Sequence, residues 1–405
     1  MRRRNIVVVG GGASGMIAAI VAAREGAQVT LIEQKERVGK KILSTGNGRC
    51  NLTNKYMDSL CFRGDNISIV ERVLTQFGYT DTCKFFEELG LILKERQGYV
   101  YPISDQASTV LDIIRMELEG LRITVLLEEK VSKIVKKKNG FYVKTDKSTI
   151  VGDAVILATG GKASPVLGSD GSGYTLAKQC GHHLSPVVPA LVQLKCDVNW
   201  FSQVAGVRTQ ATVHLFIDEE YVCKDTGELQ LTNYGLSGIP VFQVSRYAAK
   251  GIYEKRRVSV EIDFMPSMGE EQFSQYIQDR MIFHGNKTAQ DFLVGMFHKK
   301  IIVMLLKMAN ISLHETINLI AKDKLEKLWK LCKHLKVRVI GTNSFESAQV
   351  CAGGVRTTEV NPDTLESLCM DGLYLTGELL DIDGICGGYN LQWAWSSGYV
   401  AGLHA

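Results

Sequence analysis

The 405-residue sequence predicts an α/β fold in which a parallel-sheet domain is interrupted by an insertion of antiparallel strands followed by helices. Three observations support this fold. A strand, a glycine-rich turn and a helix open the chain, and a motif of a short strand, a glycine and an acid appears near the C-terminus. Between these two regions, apolar residues first alternate as in strands and then recur at helical spacing.

Composition and charge exclude several classes of protein. Apolar residues make up 45% of the chain and charged residues 22%, which is ordinary for a globular protein. The net charge of +4 is small for this length and argues against a dedicated nucleic-acid-binding protein. No apolar run is long enough to span a membrane, so we expect no membrane partner.

Cysteine and histidine usage predicts neither a metal site nor a disulfide framework. The ten cysteines form no C-x-x-C pair, and His182-His183 has no acid or cysteine at ligand spacing in the sequence around it. Scattered free thiols are typical of a reducing compartment, which predicts a cytoplasmic location.

The N-terminal segment has the pattern of a dinucleotide-binding turn. A buried strand over residues 5–9 is followed by Gly10, Gly12 and Gly15 in the spacing G-x-G-x-x-G, and a helix follows up to residue 25. Gly10 allows the tight turn, Gly12 leaves room for a pyrophosphate against the backbone, and Gly15 lets the helix pack on the sheet. The N–H groups at the helix start are then expected to face the phosphates.

An acidic residue follows the second strand. Residues 28–32 form this strand and Glu33 stands at its end. A carboxylate there accepts hydrogen bonds from ribose hydroxyls and repels a 2′-phosphate, so the nucleotide is one with a free ribose, such as FAD or NAD. The alternative is a glycine-rich strand–helix turn that binds nothing, and the agreement of strand, helix and acid argues against it.

Two later motifs favour FAD. The apolar run over residues 150–157 ends in Ala-Thr-Gly, and residues 372–378 form a short strand that ends in a glycine and Glu378. Residues 387–391 then open a last helix, whose N-terminus could face the anionic edge of a reduced flavin. Together these motifs resemble the two-domain FAD flavoproteins, in which the Ala-Thr-Gly strand packs beside the cofactor and the terminal acid binds the ribitol. Glu378 and Asp383 are the two candidates for that acid.

A narrower resemblance covers nearly the whole chain. The segments GKKIL (39–43), GNGRCNLTN (46–54), YGLSG (234–238) and GGYN (387–390) resemble the BaiN/RdsA family of NAD(P)/FAD-dependent oxidoreductases. The resemblance implies non-covalent FAD, a redox role, and NAD(P)H as a transient electron donor. It also implies substrates such as those of two relatives, a 3-dehydro-bile-acid reductase acting on dienone steroids and an aminoacetone oxidase.

The GNGRCN segment is the most specific of these blocks. Its glycines leave backbone N–H groups free to point inward. Arg49 can pair with the pyrophosphate or with a reduced-flavin anion, and Asn51 and Asn54 offer amides to the pyrimidine edge of the flavin. The alternative is a surface turn with an unrelated arginine. No second cysteine lies near Cys50 in sequence, so a packing role is favoured over a redox role.

The predicted cofactor-binding residues come from all of these segments, and the sequence identifies no catalytic residue. They are Gly10, Gly12, Ala13, Ser14, Gly15, Glu33, Gln34, Lys35, Lys41, Gly48, Arg49, Cys50, Asn51, Val131, Ala158, Thr159, Gly160, Gly377, Glu378, Asp383, Gly388, Tyr389, Asn390 and Leu391.

The pattern along the chain predicts a discontinuous arrangement of domains. Residues 1–190 and 347–405 are expected to form the Rossmann-type FAD-binding domain, and residues 191–346 the inserted domain. Within the insertion, residues 191–268 and about 336–346 predict a β-barrel-like part, and residues 269–335 a helical subdomain. Residues 234–238 are interpreted as a turn into a helix, which either lines the substrate cleft or only caps the helix.

Three functions are compatible with this sequence. The favoured one is NAD(P)H-driven reduction, through the flavin, of an activated C=C bond such as the enone or dienone of a steroid or bile acid. The second is an oxidase of a small amine or ketone that uses O2, since no second G-x-G-x-x-G unit is present for a nicotinamide cofactor. The third is a flavin-bound protein without catalysis, or one that binds RNA through the lysine-rich segment 130–138, which is otherwise interpreted as a solvated edge. The partner is thus expected to be a small-molecule substrate, and the oligomeric state is left open.

Overall fold

The computed structural model describes residues 3–405. Its helices are α1 (Ala13–Arg24), α2 (Ser68–Gln76), α3 (Tyr79–Glu88), α4 (Ala107–Gly120), α5 (Ser172–Gln179), α6 (Phe201–Val204), α7 (Ile239–Tyr253), α8 (Glu270–His284), α9 (Ala289–Leu293), α10 (Lys299–Met308), α11 (Lys322–Lys333) and α12 (Tyr389–His404). Within these described residues, none of the helices combines the length and the apolar character needed to cross a bilayer.

The strands follow the same chain order. They are β1 (Asn5–Val9), β2 (Gln28–Ile32), β3 (Thr53–Asn54), β4 (Phe62–Gly64), β5 (Leu93–Arg96), β6 (Tyr99–Pro102), β7 (Thr124–Leu126), β8 (Val131–Lys137), β9 (Gly140–Thr145), β10 (Thr149–Gly152), β11 (Ala154–Leu157), β12 (Val188–Ala190), β13 (Leu194–Cys196), β14 (Arg208–Ile217), β15 (Glu220–Leu231), β16 (Gly235–Gly238), β17 (Val258–Asp263), β18 (Leu335–Thr342), β19 (Val350–Ala352), β20 (Leu373–Leu375) and β21 (Ile382–Gly384).

A parallel sheet with the strand order β20-β11-β1-β2-β7 forms the centre of the first compact unit. This unit comprises the chain up to Val188 together with Phe345–Ala405. Its central strands β1 and β11 consist almost entirely of apolar residues because both of their faces are buried, as is typical of parallel sheets. Since neighbouring strands are parallel, the carboxyl ends of β2, β1, β11 and β20 meet along one edge.

Helices α1 and α12 pack against each other at unusually short range. A Cβ atom added at Gly398 of α12 would lie 2.3 Å from the carbonyl oxygen of Ser14, and one at Gly402 would lie 2.5 Å from that of Ala18. No real side chain fits at either distance. The two glycines are four residues apart and therefore share one face of α12, which lets the backbones of the two helices touch.

Helix α12 also fixes the end of strand β20. The backbone N–H of Gly377 donates to Ser397 Oγ at 2.9 Å, and its carbonyl accepts from Trp393 Nε1 at 3.0 Å. Both partners are buried side chains on α12. The helix therefore holds the glycine that follows β20 by both of its backbone polar groups.

The second compact unit, Pro189–Ser344, contains a closed antiparallel barrel and a group of helices. The barrel has the strand order β13-β16-β15-β14-β17-β18, and alternate residues of β14 and β17 are buried, as the alternating pattern predicts. Helices α8 to α11 follow β17 and bury an apolar cluster that includes Phe292 and Leu305. The predicted fold class, a Rossmann-type α/β domain with an antiparallel β insertion and a helical part, is thus confirmed.

One local expectation in this unit is wrong in part. Residues 234–238 do not form only a turn, because Gly235–Gly238 is strand β16, which pairs with both β13 and β15. Helix α7 begins directly after it, at Ile239. Gly235 and Gly238 have positive φ values of 157° and 101°, and a Cβ on either would lie about 2 Å from a carbonyl oxygen of the neighbouring strand, so these glycines serve close strand packing.

We predict that Gly398→Ala destabilises the protein although alanine favours helices. The added methyl meets the Ser14 carbonyl, and relief of this overlap requires α12 to move away from α1, at an expected cost of about 1–3 kcal/mol. Gly120→Ala in α4 is the matched control, because a Cβ there meets nothing within 4 Å. Urea denaturation should show a lower midpoint for Gly398→Ala and an equal or higher one for Gly120→Ala. Equal midpoints for the two variants would contradict the proposed packing constraint.

Candidate cofactor site

The predicted site residues gather where four neighbouring strands of the parallel sheet end. The glycine-rich turn follows β1, Glu33 follows β2, residues 158–160 follow β11, and Gly377 with Glu378 follows β20. These segments are far apart in sequence, and the parallel pairing of β2, β1, β11 and β20 brings them to one edge. Ligands of open α/β sheets bind at this kind of edge.

The three glycines of the G-x-G-x-x-G motif are needed for different structural reasons. Gly10 has φ +106°, and a Cβ on it would lie 2.4 Å from the carbonyl oxygen of Ala158. A Cβ on Gly15 would lie 1.9 Å from the carbonyl oxygen of Gly10. At Gly12, in contrast, an added Cβ meets nothing within 4 Å. Packing within the protein therefore explains Gly10 and Gly15, whereas Gly12 borders open space at the start of α1.

The start of α1 faces this open space. The N–H of Met16 donates to the Gly12 carbonyl at 3.0 Å and begins the helical hydrogen-bond pattern. The N–H groups of Ala13, Ser14 and Gly15 precede that bond and have no acceptor within the helix. A pyrophosphate in the space beside Gly12 would meet these donors and the positive end of the helix dipole.

Glu33 is held rigidly at the end of β2. Its carboxylate accepts from the backbone N–H of Gly11 and from that of Lys35, both at 2.8 Å. Burial raises the pKa of Glu33, while the hydrogen bonds from Lys35 and Gly11 act in the opposite direction. Next to it, Gln34 donates from Nε2 to the carbonyl of Gly168 at 2.6 Å. The segment from Glu33 to Lys35 is therefore fixed by the turns around it.

Glu378 is the acid that follows β20, and its carboxylate joins two other segments. Oε2 forms an ion pair with Lys41 Nζ at 2.8 Å, and Oε1 accepts from the backbone N–H of Cys351 at 2.7 Å. Asp383 lies in β21, is also buried, and stands opposite Arg63 in the pairing with β4. That one of these two acids contacts a ribitol stays a prediction.

Three buried hydroxyl groups near the strand ends lack a hydrogen-bond partner within residues 3–405. They belong to Thr159, Tyr174 and Thr376. Burial, and then the nearby Cys351 thiol and Glu378 carboxylate, raise the pKa of Tyr174, so its hydroxyl keeps its proton at neutral pH. A buried polar group without a partner costs about 1–3 kcal/mol, and such groups are expected to be satisfied by a ligand or by water.

The loop with the sequence GNGRCN packs against the start of α12. In the amide orientation that satisfies its neighbours, Asn51 accepts from the N–H of Gly388 at 3.2 Å and donates to the carbonyls of Thr53 and Val100. Asn390 forms two 2.8 Å hydrogen bonds with the backbone of Gly384. Both amides thus hold backbone in place, and a contact of the Asn51 amide with a flavin stays a prediction.

Other predicted residues of this region have structural partners of their own. The Arg49 guanidinium is exposed and lies 5.5 Å from the centre of the Tyr101 ring. Cys50 is fully buried, and burial raises its pKa to about 12, so it is a protonated thiol at neutral pH. Tyr389 donates from its hydroxyl to the carbonyl of Tyr56 at 3.0 Å. The packing role favoured for Cys50 agrees with its burial.

Three of the remaining predicted residues lie at the margins of the site. Val131 begins β8, two residues after Glu129, whose N–H donates to the carbonyl of Glu33 at 3.1 Å. Gly48 ends the segment Ile42–Gly48, which is kinked because Gly46 and Asn47 have left-handed backbone, and Gly48 itself has a φ of 83°. Leu391 lies in the first turn of α12 and is partly buried.

Sequence analysis missed three residues that belong to this arrangement. Gly11 donates its N–H to Glu33, and Tyr174 and Cys351 lie beside Glu378. A Cβ on Gly161 would lie 3.0 Å from both Glu378 Oε1 and Tyr174 Oη, which places the two groups side by side. One sequence signal for Cys351 was available, because the pair Gly353-Gly354 directly follows β19 and both have positive φ. No local signal marks Tyr174.

These residues fit an FAD-type dinucleotide. The protein leaves room beside Gly12, the start of α1 offers N–H groups there, a fixed carboxylate stands at Glu33, and buried hydroxyls lack partners. The fold and the site together define a Rossmann-type dinucleotide-binding protein whose cofactor domain is built from two distant segments.

Comparison with known proteins gives the family. The chain belongs to the HI0933-like family, because the family model described as "HI0933-like protein Rossmann domain" matches residues 4–404. It is 51% identical over 403 residues to a 3-dehydro-bile acid delta(4,6)-reductase of Clostridium scindens, covering 99% of this chain and 98% of that protein. It is also 29% identical over 403 residues to a ribosomal RNA dihydrouridine synthase of Escherichia coli, covering 99% and 97%.

A solved structure shows the same fold at low identity. The 3-ketosteroid delta1-dehydrogenase of Sterolibacterium denitrificans, in complex with 1,4-androstadiene-3,17-dione, superposes with a TM-score of 0.53 at 11% identity, covering 100% of this chain and 99% of that one. The family resemblance noted in the sequence is therefore confirmed, as is the prediction of a FAD-dependent oxidoreductase enzyme.

We predict that Gly12→Ala folds normally and loses FAD. The new methyl group meets no protein atom but occupies the space proposed for the pyrophosphate, so the Kd for FAD should rise by about tenfold or more. Gly269→Ala is a closely matched control, because Gly269 is also a helix N-cap with extended backbone and open space at its Cβ. Flavin fluorescence titration of the two apoproteins measures the difference. Equal FAD affinity in the two variants would contradict the proposed pyrophosphate position.

Proposed function

We propose that this protein is a reductase that uses bound FAD and NAD(P)H to saturate a C=C bond conjugated with a carbonyl group in a steroid-like substrate. The observation that carries the proposal is the 51% identity, over 99% of the chain, to a relative named as a 3-dehydro-bile acid delta(4,6)-reductase. When bound, FAD supplies two-electron chemistry, taking electrons from a donor and returning hydride to a substrate. The donor, the substrate class and the site residues are the proposed part of this assignment.

The names of two relatives describe the same kind of bond. A 3-dehydro steroid with double bonds at positions 4 and 6 carries them in conjugation with a ketone, and the double bond lost when uridine becomes dihydrouridine is also conjugated with a carbonyl. Hydride adds to the β-carbon of such a system and a proton adds to the α-carbon. The balance is NAD(P)H, one proton and the enone on one side, and NAD(P)+ and the saturated ketone on the other.

The residues of this chain would hold the cofactor and set the charges around it. The N–H groups at the start of α1 would bind the pyrophosphate, and the fixed carboxylate of Glu33 would bind the ribose hydroxyls and exclude a 2′-phosphate. The positive end of α12, directly after Gly388, would favour negative charge near the ring system. The ion pair of Lys41 with Glu378 keeps a cation beside the strand ends.

A transient nicotinamide and a reducing compartment belong to the same proposal. The sequence has no second G-x-G-x-x-G unit, which supports a donor that enters, reacts and leaves. All ten cysteines are free thiols, and this supports a cytoplasmic location.

The test is an anaerobic stopped-flow experiment with the flavin-loaded protein. We expect NADH or NADPH to bleach the visible flavin band, and a 3-oxo-4,6-diene steroid to restore it with formation of the reduced steroid. If neither nicotinamide bleaches the flavin, the reductase proposal is wrong. Bleaching by a small amine or ketone, followed by peroxide release in air, would instead favour the oxidase alternative.

A second candidate is reduction of uridine in ribosomal RNA, favoured by the 29% identity to the Escherichia coli synthase over 99% of the chain. The lysine-rich hairpin of β8 and β9 gives it little support. Lys130 pairs with Asp170 at 2.9 Å, Lys136 donates to the Asp371 carbonyl at 2.5 Å, and Lys137 lies 4.4 Å from the centre of the Tyr142 ring. These three lysines therefore already have partners within the protein, which makes them less available to bind RNA phosphates.

We expect the purified protein with NADPH to leave unmodified ribosomal RNA free of dihydrouridine while it reduces the steroid dienone under the same conditions. Mass spectrometry of digested RNA measures the nucleoside. Formation of dihydrouridine with no steroid reduction would reverse the order of the two candidates.

A further inference from the structure

The fold gives the two adjacent histidines, His182 and His183, the partners that their sequence neighbourhood lacks. Glu359, which is 177 positions from His182, places its carboxylate between the two imidazoles. His182 Nδ1 lies 3.2 Å from Oε2 of Glu359, and His183 Nδ1 lies 2.7 Å from Oε1. The sequence argued against a metal site because no acid or cysteine lies near these histidines in the chain. The fold supplies the acid from a distant segment.

A thiol completes this cluster. One ligand atom each of His182, Glu359 and Cys369 lie within 4.8 Å of one another. The His182 side chain is fully buried, that of Glu359 is 18% exposed, and Cys369 is exposed at the surface. A Cβ on Gly181 would lie 3.5 Å from the Cβ of Cys369, so the thiol-bearing residue lies directly against the segment that carries the histidines.

We propose that His182, Glu359 and Cys369 bind a divalent zinc-type cation, with His183 or water as the fourth ligand. Imidazole and thiolate select Zn2+ over hard cations, carboxylate is also a zinc ligand, and zinc sites in proteins are usually four-coordinate. The proposal goes beyond the proposed flavin chemistry and does not depend on it. All of the donors lie in the first compact unit.

The hydrogen-bond pattern shows what a cation would replace. Ser367 Oγ accepts from the backbone N–H groups of Cys369 and Met370, so its own proton is directed to His182 Nε2 at 2.8 Å. Without metal, the His182 proton is then on Nδ1 and is donated to Glu359. A cation at Nδ1 would take the place of this proton, and the proton would then lie on Nε2. Ser367 Oγ would accept from Nε2–H in place of one of the two backbone N–H groups, with its own hydroxyl proton turned away from the ring.

The backbone holds the donors close together before any cation binds. The N–H of His183 donates to Glu359 Oε2 at 2.8 Å, and the N–H of Arg356 donates to the carbonyl of His183 at 3.1 Å. An isolated β-bridge joins Leu184 to Val355 beside them. A cation here would bind the segment that follows α5 to the segment that follows β19, two parts of the first unit that are distant in sequence. We therefore assign it a structural role.

The experiment uses the full-length, flavin-loaded protein after chelator treatment. Titration with zinc chloride against a competing chromogenic chelator should show a single tight equivalent per chain. Cobalt chloride should give visible d–d bands at wavelengths longer than the flavin absorption, of the intensity typical of tetrahedral coordination.

Glu359→Gln and Cys369→Ser should each weaken zinc binding by about a hundredfold or more, which exceeds the loss expected from changing a residue that only contacts a ligand. Zinc should raise the thermal midpoint of the unsubstituted protein and leave that of Cys369→Ser unchanged.

Two matched variants control for adventitious binding. Cys83→Ser and His284→Ala remove a thiol and an imidazole elsewhere, and both should keep full zinc affinity. Absence of stoichiometric zinc binding by the unsubstituted protein overturns the proposal whatever the variants do. Equal zinc affinity in Cys369→Ser, Glu359→Gln and the controls, with flavin retained in all of them, also overturns it. The result is independent of enzyme activity, so it stands apart from the reductase test.

Discussion

The backbone contact between α1 and α12 positions most of the cofactor site. Gly398 and Gly402 let α12 touch the carbonyls of Ser14 and Ala18, and α12 in turn holds Gly377 by both of its backbone polar groups. One rigid pair of helices therefore relates the glycine-rich turn after β1 to the acid after β20. The two helices run in the same direction, but Ser14, one residue after the start of α1, lies level with Gly398, nine residues after the start of α12 at Tyr389. At a rise of about 1.5 Å per residue, their positive ends are therefore about 12 Å apart along the helix axes and would face different parts of a dinucleotide.

The parts of the fold that sequence predicts well are those that depend on local backbone rules. Gly10 has φ +106°, and a Cβ on Gly15 would overlap with the carbonyl of Gly10, so both requirements lie within the turn itself. The alternation of β14 and the helical spacing of α10 are similarly local. Strand β16 was missed as a strand because its four residues, Gly235–Gly238, include two glycines, which propensity assigns to a turn.

The parts that sequence does not predict depend on long-range pairing of the chain. Tyr174 reaches Glu378 only because α5 follows β11 and β11 pairs with β20. The amide of Asn51 joins its own loop to Gly388, more than 300 residues further along the chain. His182 gains a carboxylate from a segment that returns after the whole inserted unit. Spacing rules search neighbouring residues and do not detect any of these contacts.

The partnerless hydroxyls of Thr159, Tyr174 and Thr376 have a consequence for the life of the protein in the cell. Each of these buried hydroxyls lowers the free energy of unfolding of the cofactor-free protein, because it has lost its hydrogen bonds to water. A ligand that offers hydrogen-bond acceptors to them would restore this stability. Ligation and conformational stability are then thermodynamically linked. A smaller supply of the cofactor would therefore leave a larger fraction of the chain unfolded and accessible to proteases.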